Sequence, residues 1–65
     1  MNNSYLAKAL KVVNERNILV NLAAKRATEL SRGSKPLVDT PLGTVALDIA
    51  LLEIAEGKVT YELPK

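Results

Sequence analysis

The chain has no cysteine, no histidine, no tryptophan and no phenylalanine among its 65 residues. Without cysteine there is no disulfide to staple a small fold and no thiol nucleophile. Without histidine the common zinc ligand sets are gone, and so is the side chain that most often moves protons near neutral pH. No Ser-His-Asp or Cys-His constellation can be assembled. Two tyrosines are the only aromatic residues, so any core must be aliphatic. Long hydrophobic runs are missing too. The longest stretches without a charge, Asn17–Ala24 and Thr40–Leu47, are eight residues each, far short of the roughly 20 that cross a bilayer. Met1-Asn2-Asn3-Ser4 lacks the basic stretch and apolar run of a signal peptide. The expectation is a soluble, cytoplasmic chain without metal or cofactor.

What is present points to association. Hydrophobic residues make up 48% of the sequence, too many for a disordered tail. One domain, residues 1–65, is all this length allows, and such a chain buries only about 60% of the surface its unfolded form exposes. Domains this small add a disulfide, a metal or a partner. With the first two excluded, a partner is expected. Charge is uneven as well: residues 1–35 carry seven basic and two acidic side chains, residues 36–65 two and five, giving +5 and −3. Either the two halves fold against each other, or the first half offers a basic surface to phosphate.

Periodicity predicts an all-α fold of three or four helices with a short extended tail. Ser4 is expected to cap a first helix whose stripe is Leu6, Ala9, Leu10 and Val13, at i, i+3, i+4 and i+7. Asn14 ends it or caps the next. A second helix runs from about Arg16 to Arg32, with Gly33 in the usual position after the end. Pro36, Pro41 and Gly43 mark a loop. Thr44 is expected to cap a third helix, Val45 to Glu56, which Gly57 terminates. Lys58 to Leu63 alternates with period two, an extended segment ended by Pro64.

On a helical projection Leu19, Leu22, Ala23 and Leu30 share one stripe of the second helix, and Ile18, Val20, Ala24 and Ala27 widen it beyond half the circumference. The third helix is interrupted only by Asp48, Glu53 and Glu56. Three short helices cannot cover such faces, which again implies another chain. Arg26 falls on the main apolar stripe. Either its stem lies on the core with its head in water, or its guanidinium meets a carboxylate, from a partner or internally from Glu53 or Glu56.

The segment Arg16-Asn17-Ile18-Leu19-Val20-Asn21-Leu22-Ala23-Ala24-Lys25-Arg26-Ala27, followed by Pro36-Leu37-Val38 and by Ile49-Ala50-Leu51-Leu52-Glu53-Ile54-Ala55-Glu56-Gly57, resembles the omega subunit of bacterial RNA polymerase. The likeness covers both long helices and the loop between them, in order and spacing. It implies a compact, mostly helical, non-catalytic subunit of a nucleotidyltransferase complex. Such a subunit wraps and latches the largest, beta-prime, subunit and helps it join alpha and beta. It further implies that Arg16, Leu19, Val20, Ala23, Ala24, Arg26, Ala27, Ile49, Glu53, Ile54 and Gly57 form the fold and the surface for that partner, without direct contact to DNA. Asn17 stands where many members have phenylalanine, and Val45–Asp48 replaces a common lead-in to the last helix. The alarmone site of some members uses a basic residue near the start; Asn3 stands there, and that site is not carried over.

Two other classes fit less well. A helix-turn-helix module joins its helices by three or four residues and needs a polar recognition helix; here about ten residues intervene and the last helix is acidic and apolar. A self-associating bundle would also cover the surplus faces. Gly33-Ser34-Lys35 lacks the earlier glycine and the following helix of a phosphate-binding loop.

Overall fold

The computed structural model describes residues 2–59, and within them the fold is all-α. Three helices follow in order: α1 (Asn3–Leu10), α2 (Arg16–Ser31) and α3 (Ala46–Ala55). α3 packs against both others, which scarcely touch each other. The most hydrophobic helix therefore occupies the middle. Its neighbours cover two sides of it.

One core serves all three. Leu6, Ala9 and Val13 come from α1 and the turn after it, Leu19 and Ala23 from α2, and Ala50, Leu51 and Ile54 from α3. Ala9, Ala23 and Ala50, one from each helix, are fully buried; side chains this small let helix backbones approach closely. The stripe Leu6, Ala9, Leu10, Val13 faces this core, with Leu10 half-buried at its edge.

The ends of α2 and α3 obey one rule. Beyond α2, the Gly33 N–H donates to the Leu30 carbonyl and Ser34 to Glu29; beyond α3, Gly57 donates to Ile54 and Lys58 to Glu53. This six-to-one and five-to-two pairing requires a left-handed residue just past the helix. Gly33 and Gly57 supply it, with φ of 108° and 72°.

The beginnings differ from expectation. Asn2, not Ser4, caps α1: its side-chain oxygen accepts from the Ser4 and Tyr5 N–H groups. Asn2 sits one position before the helix, where a short carbonyl side chain reaches those donors. Glu15, rather than Asn14, occupies the N-cap of α2, without a side-chain bond. Val45, rather than Thr44, precedes α3. The Thr44 hydroxyl donates instead to the Pro41 carbonyl at 2.6 Å, closing the turn over Leu42 and Gly43. The link between α2 and α3 thus spans residues 32–45, longer than expected. Of the expected tail, Lys58 and Val59 form a bend with Val59 against the core; residues 60–65 lie outside the described residues.

Candidate partner-binding surface

The centre of the site is a carboxylate in an apolar core. Glu53 has no exposed surface, and isolated charge there would be costly. It is fully engaged: Arg26 Nε donates to Oε1 at 2.7 Å, Arg26 Nη2 to Oε2 at 3.1 Å, and the Leu37 backbone N–H to Oε2 at 2.7 Å. Arg26 Nη2 also donates to the Lys35 carbonyl at 3.1 Å. Nη1 reaches the exposed Glu29 at 3.4 Å, a pair of small energetic weight. Hydrogen bonding to Glu53 raises the pKa of the guanidinium, burial opposes this, and the charges of Glu53 and Glu29 add to the rise.

The geometry settles the position of Arg26 on the apolar stripe. Of the two internal carboxylates, Glu53 is the partner; Glu56 lies beyond the last turn of α3 and is exposed. The planar fork of arginine matches a carboxylate held side-on. The same two groups hold residues 35–37 of the link, so Arg26 and Glu53 tie α2, α3 and the connecting segment at one point.

The candidate residues divide by position. Leu19, Ala23, Glu53 and Ile54 are fully buried. Val20, Arg26, Ala27 and Ile49 are half-buried, and Arg16, Ala24 and Gly57 are exposed. The surplus apolar surface is narrower on α2 than its projection implied. Ile18, Leu22, Ala27 and Leu30 all pack against the core, and its outward face holds Asn17, Asn21, Ala24, Lys25 and Thr28.

On the link before α3, as far as its N-cap Val45, the surplus is real, while Ile49 and Leu52 on the helix are half-buried. Among the described residues the large exposed apolar ones are Val12, Leu37, Leu42 and Val45, with Leu42 completely in solvent. Val45, Ile49 and Leu52 stand at i, i+4 and i+7, on one side of α3 away from Ala50, Leu51 and Ile54. Leu37, Leu42, Val45 and Leu52 were not among the candidates. Apolar residues scattered through a Pro- and Gly-containing link have no periodicity to flag them.

The RNA polymerase Rpb6 family matches residues 8–61, and the chain belongs to that family. Within it the relatives are omega subunits of bacterial DNA-directed RNA polymerase. The subunit from Helicobacter hepaticus is 56% identical over 55 residues, covering 82% of this chain and 74% of its own length. That from Geobacter metallireducens is 44% identical over 54 residues, 83% of this chain and 78% of its own. That from Clostridium botulinum is 40% identical over all of this chain and 89% of its own. No solved structure gives a significant match.

Proposed function

We propose that this chain is a non-catalytic subunit that binds the largest, beta-prime, subunit of a bacterial RNA polymerase in the cytoplasm. There it latches that subunit and promotes its assembly with alpha and beta. The carrying observation is likeness to omega subunits over four-fifths or more of the chain. Apolar surface left uncovered at Leu37, Leu42 and Val45, in the lead-in to α3, supports a protein partner. No helix among the described residues is long and apolar enough to cross a membrane.

Under this reading the candidates have two tasks. Arg16, Val20, Ala24, Ile49 and Gly57 reach the surface and can touch the partner. Leu19, Ala23, Ala27 and Ile54 set the helix packing beneath them, and Arg26 with Glu53 fixes the link. Co-expression with and without the largest polymerase subunit tests the proposal. The two chains should co-purify, and the large subunit should become more soluble. Failure on both counts would remove it.

A further inference from the structure

The link between α2 and α3 is tied to the helices through its backbone. Ser34, just past α2, donates to the Glu29 carbonyl. From there to Val45, among the described residues, hydrogen bonds reach back to the helices at one place. The Lys35 carbonyl accepts from Arg26 Nη2 at 3.1 Å, and the Leu37 N–H donates to Glu53 Oε2 at 2.7 Å. The bonds of Thr44 close only the local turn to Pro41.

A donor and an acceptor standing side by side make this contact. Arg26 Nη2 donates to Glu53 Oε2 at 3.1 Å, and the same two atoms meet a carbonyl and an N–H from residues two apart. Extended backbone offers such a pair on one edge, because alternate residues point the same way. Pro36 favours it, biasing Lys35 toward extended backbone and having no N–H of its own to satisfy. The side chains take little part: Lys35, Pro36 and Leu37 are all exposed, while Glu53 is fully buried. α2 and α3 pack through Leu19, Ala23, Leu51 and Ile54, none of which lies in the link. Releasing residues 35–37 therefore gives their hydrogen-bonding groups to water and leaves that packing in place.

We infer that Lys35-Pro36-Leu37 is a lid, held by its backbone alone, that opens and closes over the Arg26–Glu53 pair without unfolding of the helices. Closed, it keeps water from Glu53 and fixes the turn that carries Leu42. Open, it hydrates the ion pair and frees residues 35–44 as one segment. This goes beyond the proposed function and does not depend on it.

Native-state hydrogen exchange of the full chain, read by NMR at a series of low denaturant concentrations, tests the lid. The Leu37 amide should be protected about 10- to 100-fold, the worth of one hydrogen bond to a charged group. That protection should not change with denaturant, as expected of a local opening. The Leu51 amide should be protected more strongly, with a protection that falls steeply as denaturant is added. Lys35→Ala and Leu37→Ala should leave protection at position 37 within about twofold of wild type. An ester in place of the Pro36–Leu37 amide removes only that N–H. It should keep the helical circular dichroism spectrum and let a leucine-directed protease cut within residues 37–43 about tenfold faster. If the Leu37 amide matches Leu51 in both protection and denaturant slope, the link opens only with the whole molecule and the inference fails. An unprotected Leu37 amide would show that the lid does not close. Protection lost in Leu37→Ala would assign the hold to the side chain, and an ester variant cut no faster than wild type would remove the N–H from it; either result overturns the inference.

Discussion

Arg26 joins α2, α3 and the link between them. Its side chain is 13% exposed and its carboxylate partner not at all. Removing the guanidinium leaves Glu53 in the core with only the Leu37 N–H. Breaking a buried pair in this way costs about 3–5 kcal/mol, against a total of roughly 3–10 kcal/mol for a domain of this size. Arg26→Ala should therefore leave the isolated chain largely unfolded by circular dichroism. Arg26→Lys keeps the charge but loses the fork, and should fall between that variant and wild type. Because the folded-state pKa of Arg26 is raised, its contribution is complete below the ordinary arginine range and is lost only as pH rises beyond it, in strong alkali. The stability difference between wild type and Arg26→Ala should consequently stay flat from about pH 7 to about pH 10. A difference that shrinks across that window would show that the guanidinium is not the group responsible.

At the scale of the element, the termini are the informative places. Asn2→Ala should destabilise α1 by about 1 kcal/mol through loss of the two accepted N–H bonds, and Asn2→Asp should restore it. Ser4→Ala should stay within about 0.5 kcal/mol, since the Ser4 backbone rather than its hydroxyl bonds the cap. Thermal melts of the three variants check the assignment; the reverse order would return the cap to Ser4. Gly57 ends α3 at φ 72°, and a Cβ there would meet nothing within 4 Å. Gly57→Ala should then cost about 1–2 kcal/mol from backbone strain alone. A larger loss in polymerase binding than in stability would mark Gly57 as part of the contact as well.

For the molecule as a whole, stability and association should separate by position. Leu51 is fully buried between the other helices, and Leu51→Ala should cost about 2–5 kcal/mol. That is enough to unfold much of the free chain at 25 °C, and saturating largest subunit should restore helix by mass action. Leu52→Gln, one residue later, half-buried and outside the core, should do the opposite: retain the fold and lose affinity. Two neighbours on one helix thus distinguish core from interface. If both variants lost helix alike, α3 would have no free face.

The sequence by itself determined the helices and most of their ends. A stripe at i, i+3, i+4 and i+7 and a glycine past a helix end are decisions made within one or two turns. α1's apolar residues, Gly33 and Gly57 were accordingly legible. The caps at Asn2 and Val45 were not, because Asn2, Ser4 and Thr44 all carry a suitable oxygen and the choice turns on a single residue of register. Arg26 was visibly out of place on its stripe, yet which carboxylate it meets was open. Only the tertiary structure decided for Glu53, 27 positions away, and brought the Leu37 N–H onto the same carboxylate from 16 positions away. The free face has the same origin. A projection shows how much of a helix is apolar; it cannot show which part its neighbours cover. Here α1 and α2 close around one side of α3 and leave Val45 exposed and Ile49 and Leu52 half-buried, outside the core. Packing among all three helices, rather than any local rule, sets that division.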